Sequence, residues 1–353
     1  MIKILHSADW HLDSPLSLSD ETRSRRMRQL LQSIPGRIAA ACKAERADLV
    51  LLSGDLFDGP YAADTYRQLY AALEDMGVPV FISPGNHDPI GPDSPWLSEQ
   101  WPENVHIFTH PAIEAVDVPE LDCCVYGAGF VAMDCPGLLQ DFSPTHTEKY
   151  AVGVLHGDPT QVTSPYCPVT VPQVTQSGLD YLALGHIHKA GSFTGGKTLC
   201  GWPGCPMGRG YDEEGEKGYY IVTLDGETTL KFVDLGLPRF YDLEVTPEQT
   251  PADLLPPVGN EDYYRLTFTG ARETPNLAAL EIQYSHFPNL LFRDRTTPPL
   301  DIWGSAGEDT FEGVYFKLLH DALEQAQGED AAQIQLAAEI SRKLLEGQEV
   351  VLP

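Results

Sequence analysis

The most constraining feature of the chain is a rhythm in its first ninety or so residues. Short apolar runs close on polar motifs at 1–11 (MIKILHSADWH), 47–58 (ADLVLLSGDLFD) and 78–88 (VPVFISPGNHD), and stretches of helical length, 20–46 and 61–76, lie between them. Strands alternating with helices in this way read as βαβ units and a largely parallel sheet. In such sheets functional groups gather beyond the carboxyl ends of the strands, and each polar motif falls there. The stretch 20–46 is interrupted by IPG at 34–36, so it reads as two helices with Pro35 near the start of the second.

Further apolar segments, CCVYGAGF, YAVGVLHGD, LDYLALGHIH and KGYYIVTLDG, run between 121 and 235 and read mainly as strands of a second sheet packed on the first. Around LGLPRF the texture changes. The expected organisation is a principal two-sheet α/β domain over 1–235, a small α/β domain over 236–300, and a tail over 301–353 with helices at 308–325 and 330–346. No apolar run approaches the roughly 20 residues needed to cross a bilayer, so no membrane role is expected. The start, MIKILHSADW, lacks a basic segment, an apolar stretch and a cleavage site, so the cytoplasm is the expected location. The seven cysteines are odd in number and form no CxxC pair, which reads as reduced, buried thiols.

The polar motifs form a constellation: SADWH with Asp9 and His11, SGDLFD with Asp55, GNHD with Asn86, His87 and Asp88, LHGD with His156, and GHIH with His186 and His188. Carboxylate, amide and imidazole groups at strand ends make an oxygen-and-nitrogen ligand set. In extended backbone, residues i and i+2 share a face, so Asp9 with His11 and His186 with His188 are expected to point into one site together. The glycines before Asp55, Asn86 and His186 are expected to allow sharp turns that aim these groups. Singly, DxH, HxH and GD occur as surface pairs or turns; the five motifs are informative together.

With these motifs in this order, the sequence resembles the calcineurin-like metallophosphoesterases over about its first two-thirds. The resemblance implies two divalent metal ions, one held by Asp9, His11, Asp55 and His188, the other by Asp55, Asn86, His156 and His186, with Asp55 bridging. Manganese is the expected metal, with iron or zinc also compatible with this donor set. Such a pair clamps a phosphoryl group and lowers the pKa of a shared water. His87 then faces the phosphate as the acid for the leaving oxygen, and Asp88 is expected to orient His87, a turn residue being the alternative.

The phosphoprotein phosphatases of this superfamily carry an arginine after the second Asp of GDxxD, whereas here Gly59 and Pro60 follow Asp58. HSADWHLDSPL, SPGNHDP, WPENVHIF, GHIHK and GWPGCPMGRGYDEEGEKG instead resemble the SbcD and YhaO group of DNA repair exonucleases. That resemblance implies a DNA substrate, a capping domain over 236–300, and a C-terminal region that engages an SMC-like ATPase of the SbcC/YhaN type. In the tail, Ile334, Ala337, Ala338, Ser341, Leu344 and Leu345 share one helix face, which either docks on a partner or packs on the protein's own core. A homodimer through 20–46 or 61–76 stays open.

The net charge of −28 opposes approach to a polyanion over most of the surface. The dense basic cluster is Arg23, Arg25, Arg26 and Arg28, which reads as a weak DNA or partner contact or as a solvated helix face. The reading from sequence is therefore a metal-dependent DNA exonuclease with some single-strand endonuclease activity. The alternatives are a phosphodiesterase of nucleotides or other small diesters, and a binding subunit whose metals are structural.

Overall fold

In the computed structural model, residues 1–16, 21–145, 147–347 and 350 are described. Position 20 of the expected first helix, and 348–349 and 351–353 of the expected tail, lie outside these residues. Contacts divide the chain into two units, 1–241 with 261–263, and 242–260 with 264–353.

The first unit opens with β1 (Ile2–Ser7), β2 (Leu49–Leu52), β3 (Val80–Ile82) and β4 (Val105–Ile107), each parallel to the next. Their connections carry α1 (Glu21–Gln32), α2 (Ile34–Glu45), α3 (Ala63–Met76) and the single turn α4 (Pro95–Ser98). Pro35 occupies the first turn of α2, where its missing N–H costs nothing, and α3 stops at Gly77 in the left-handed conformation. Next come β5 (Glu114–Val118), β6 (Cys123–Gly127), β7 (Tyr150–His156), α5 (Val171–Ser177), β8 (Tyr181–Gly185), β9 (Gly191–Gly195) and β10 (Thr198–Trp202). They form a second sheet in the order β5-β6-β7-β8-β10-β9.

One strand departs from expectation. KGYYIVTLDG does not join the second sheet: β11 (Gly218–Asp225) lies antiparallel on β1, with Ile4 opposite Val222, and turns through Gly226 into β12 (Glu227–Asp234). The first sheet therefore runs β12-β11-β1-β2-β3-β4. Most of β11 is buried, and its apolar stretch YYIV at 219–222 would suit either sheet.

Strand alternation builds the layers. Ile2, Ile4, Leu49 and Leu51 of the first sheet share a core with Val152, Val154, Tyr181 and Ala183 of the second. The alternate residues Leu5, Val50, Leu52 and Ile82 face outward onto Met27, Ile38, Leu69 and Leu73 of the helices. On the far side of the second sheet, Ala151, Leu155, Leu182 and Leu184 pack with Val174 of α5. All seven cysteines are buried and free.

The second unit carries most of a three-stranded sheet, β13 (Phe240–Val245), β14 (Tyr263–Phe268) and β15 (Leu290–Asp294), in that order. It also holds α6 (Pro251–Leu254), α7 (Leu277–Gln283), α8 (Phe311–Gln325) and α9 (Glu329–Leu345). Arg342 of α9 is buried with its charge satisfied: it pairs with Glu312, donates to the Ile302 carbonyl and Ser305 Oγ, and lies over the Phe316 ring. The apolar face expected on α9 divides. Ala338 is buried and Ser341 bonds Tyr315 of α8, whereas Leu344 and Leu345 are exposed.

Candidate metal centre

The polar motifs converge because the parallel strands end together. Ser7 of β1 lies opposite Leu52 of β2, Leu52 opposite Ile82 of β3, and in the other sheet His156 of β7 lies opposite Gly185 of β8. Just beyond these ends the backbone leaves ordinary strand geometry: Asp9, His11, Asp55 and His186 have φ of 54°, 47°, 51° and 94°. Positive φ costs a non-glycine residue of order 1–3 kcal/mol, so such positions persist only where their surroundings fix them. Here the amide of Asp9 donates to the Gly54 carbonyl at 3.0 Å, that of His11 to the Asp55 carbonyl at 2.9 Å, and that of His186 to Asp9 Oδ1 at 2.9 Å. All four side chains do reach one site, but by left-handed backbone at Asp9, His11 and His186 rather than by strand alternation. Asp9 and His11 meet there, while His186 and His188 go to different neighbours. The glycines also act otherwise than expected. Gly54 has the positive φ of a turn, but Gly85 and Gly185 are needed for close approach: a Cβ on Gly85 would lie 2.2 Å from Asp55 Oδ1, and one on Gly185 2.0 Å from the Ser53 carbonyl.

One half of the site is built on His11 and His188. Nδ1 of His11 donates to Asp58 Oδ1 at 3.3 Å, and Nδ1 of His188 to Glu213 Oε1 at 2.7 Å, because a carboxylate can only accept. In the neutral rings both Nε2 atoms are then lone pairs, and they face each other at 3.1 Å. Lone pair would then face lone pair, a contact that either a proton on one ring or a bound cation relieves. Asp9 lies with them, the three offering ligand atoms within 4.8 Å of one another. Burial pulls the pKa of His11 down. Burial also works against His188, but its bond to Glu213 and the nearby Asp9 and Glu213 charges together outweigh it, and the net shift is upward. Glu213 is held well below the usual carboxylate range by His188 and Arg209 in spite of its burial. Arg209 donates its Nη2 to Glu213 Oε1 at 2.9 Å and its backbone N–H to Oε2 at 2.8 Å.

The other half is built on Asn86, His156 and His186. His156 Nδ1 donates to the Ser53 carbonyl at 2.9 Å, which leaves Nε2 as the lone pair of the neutral ring. That Nε2 faces Asn86 Oδ1 at 2.9 Å and Asp55 Oδ2 at 3.4 Å, again acceptor against acceptor. His186 Nδ1 lies 3.2 Å from the same Asn86 oxygen. The rings rest on aromatic neighbours, Phe130 against His156 and Tyr166 against His186. Asp55 stands between the halves, its Oδ2 also 3.8 Å from His11 Nε2. Burial raises its pKa, but His156, His11 and the His87 amide lower it further, so it stays ionised. The expected ligands are all brought together, and the donor set fits divalent cations.

Asp88 is a correction. Its carboxylate accepts from the backbone N–H groups of Gly85, Leu56 and Phe57, at 2.7, 2.8 and 3.2 Å, and so ties the GNHD turn to the GDLFD turn. Burial and the nearby Asp55 charge push its pKa up to about 7. The residue that holds His87 is Asp58, whose Oδ1 accepts from Nδ1 at 2.7 Å. That bond raises the His87 pKa, and the bonds from His11 and His87 hold Asp58 far below the usual range. Asp88 is spent on main-chain donors, and orienting the ring falls to Asp58. Asp58, Arg209 and Glu213 were given no role from sequence. The available signal was the second Asp of GDLFD and the run of polar residues in GWPGCPMGRGYDEEGEKG.

The basic cluster is largely engaged within the protein. Arg26 pairs with Glu261, and Arg28 with Glu21 at 2.6 Å and the Leu16 carbonyl at 2.9 Å, while Arg25 is exposed.

The family model described as calcineurin-like phosphoesterase matches residues 2–190. The chain is 31% identical over 249 residues to an uncharacterized metallophosphoesterase, YhaO, of Bacillus subtilis, covering 65% of this chain and 60% of that protein. It is 26% identical over 261 residues to a subunit of the SbcCD nuclease of the same organism, covering 61% of this chain and 64% of that one. The chain thus spans less than two thirds of the length of either relative. Among solved structures, a dimetal phosphatase from Danio rerio shares 14% identity with a TM-score of 0.45, covering 66% of this chain and 96% of its own.

Proposed function

The chain belongs to the calcineurin-like phosphoesterase family, whose members hydrolyse phosphoesters with divalent metal ions, and we propose that this protein is a phosphodiesterase acting on DNA as an exonuclease. The observation that carries the hydrolytic reading is the pair of acceptor-lined halves joined at Asp55, with His87 held by Asp58 beside them. Asp9, His11, Asp55 and His188 are assigned to one ion, and Asp55, Asn86, His156 and His186 to the other. When bound, the ions supply charge for the phosphoryl oxygens and acidify water. Manganese is the favoured metal, with iron and zinc compatible with the same donors.

The protein's own residues divide the remaining work. Asp58 keeps the His87 Nδ1 proton in place and favours the imidazolium, so Nε2–H is available to the leaving oxygen. As water adds to phosphorus and the P–O ester bond breaks, that proton passes to the departing alkoxide, while the proton shed by the water leaves to solvent, from which His87 is reprotonated. Asp88 keeps the turn that carries His87 fixed against 55–57.

The nuclease reading is supported by the similarity to a nuclease subunit and by Gly59 and Pro60 after Asp58, where a monoester-gripping arginine is lacking. Residues 236–300 are proposed as a capping domain. The tail 301–353 is proposed as the segment docking an SMC-like ATPase, with Leu344 and Leu345 among its exposed apolar positions. The second reading, hydrolysis of small diesters, is favoured by the engagement of Arg26 and Arg28 with the protein's own carboxylates and by the net charge of −28.

End-labelled duplex and single-stranded DNA with added manganese, run beside bis-p-nitrophenyl phosphate for wild type and His87→Ala, test the proposal. Shortening of DNA by wild type alone supports it. Cleavage of the small diester alone, or cleavage of DNA at a rate independent of its length, favours the second reading.

A further inference from the structure

A cleft of about 510 Å³ adjoins His87 and is separate from the ligand cluster. That size suits a small organic group rather than a single ion. Four prolines, Pro60, Pro89, Pro92 and Pro95, line it together with Tyr61 and His87. Among the described residues no lysine or arginine lines it, and its carboxylates are Asp93, which is exposed, and Asp88, which is occupied by three backbone N–H groups. A phosphate gains little from such walls; a flat, neutral, largely apolar group gains more.

Tyr61 is fixed in advance. Its hydroxyl donates to Glu99 Oε1 at 2.9 Å and lies 3.2 Å from Ser98 Oγ, and its ring rests on Phe57, which in turn rests on Trp96. Gly59, with φ of 86°, adds no side chain to the cleft, and a Cβ built there meets nothing within 4 Å. The space is thus bounded by rigid rings and opens at the group positioned to protonate a leaving oxygen.

We propose that this cleft receives the base of the nucleoside on the leaving side of the scissile phosphodiester, packed against Tyr61 and the prolines. The inference rests on the phosphodiesterase reading and on His87 as the acid. It adds a subsite to that reading: a place for the base of the departing nucleoside. Packing of this kind tolerates any base, because every base has a π-face.

The test uses the full chain in manganese, with a dinucleotide and its two analogues abasic on one side or the other. Wild type is expected to lose about tenfold in kcat/KM when the base on the leaving side is absent, and little for the other. Tyr61→Ala is expected to cleave the intact dinucleotide no better than that abasic analogue, while Tyr61→Phe keeps the preference. A binding readout runs beside it: 2-aminopurine on the leaving side of a dinucleotide is expected to be quenched by metal-free wild type and not by Tyr61→Ala. Equal cleavage of all three substrates by wild type, or a preference that survives in Tyr61→Ala, overturns the cleft assignment and leaves the phosphodiesterase reading standing. Quenching that depends on Tyr61, with neither the dinucleotide nor bis-p-nitrophenyl phosphate cleaved, leaves a base-binding cleft but overturns the phosphodiesterase reading and with it the leaving-side assignment. Absence of both overturns both.

Discussion

The two halves of the site hold their histidines by different means. His11 and His188 are backed by carboxylates, Asp58 and Glu213, the second itself gripped by Arg209. His156 is backed by the Ser53 carbonyl, and the His186 ring rests on Tyr166. A carboxylate behind an imidazole makes its other nitrogen a stronger donor than a neutral carbonyl does. If the proposed ligand assignment holds, the two ions should therefore not be held alike: the one proposed at His11 and His188 should be the tighter, and the one proposed at His156 and His186 should exchange more readily.

The greatest loss is expected where the halves join. Asp55→Ala removes the proposed shared ligand and should lower kcat/KM on bis-p-nitrophenyl phosphate by roughly 10⁴-fold. A loss confined to one ion, seen as metal content falling from two equivalents to one, would contradict a bridge. Next comes His87→Ala, which leaves both halves intact. It should cost about 10²–10³-fold in kcat with metal content unchanged, measured on the same diester.

Glu213→Gln separates the halves most cleanly. It should weaken one ion about 10–100-fold in a manganese titration and leave the other as it was. Asp58→Asn acts on both His11 and His87, so a milder metal defect should accompany a change in pH dependence. Asp58 raises the His87 pKa, and an acid works only while protonated. Removing that support should move the basic limb of the kcat profile to lower pH.

Outside both halves the consequences should be slight. In the second unit, Arg265 pairs bidentately with Asp242 and lowers its pKa. A depressed carboxylate stabilises the folded chain above its unfolded pKa, near 3.9, and loses that contribution as pH falls through the folded value. The pair is partly exposed, so Asp242→Asn should cost under about 1 kcal/mol in urea unfolding at pH 7, less at acid pH, with diester hydrolysis unaffected.

The βαβ run of β1 to β3 and the candidate site at its strand ends were legible because short apolar runs followed by Asp9, Asp55 and Asn86 are local signals. The sheet to which β11 belongs was not, since an apolar run carries no record of its neighbour; only the register of Ile4 with Val222 decides it. The proposed ligands were legible as residue types at strand ends. Their backing was not, because Asp58 and Asp88 are chemically identical and lie near the same turns. Which one reaches His87 depends on the main-chain donors that capture Asp88. Glu213 and Arg209 lie well along the chain from the histidine they support, in a loop with no periodicity to read.

Whether the two halves bind their ions unequally is decided by a calorimetric manganese titration of the wild-type chain beside Glu213→Gln. Two binding steps are expected in wild type, with weakening of only the tighter one in the variant. A single step in wild type, or equal weakening of both, would contradict the unequal halves.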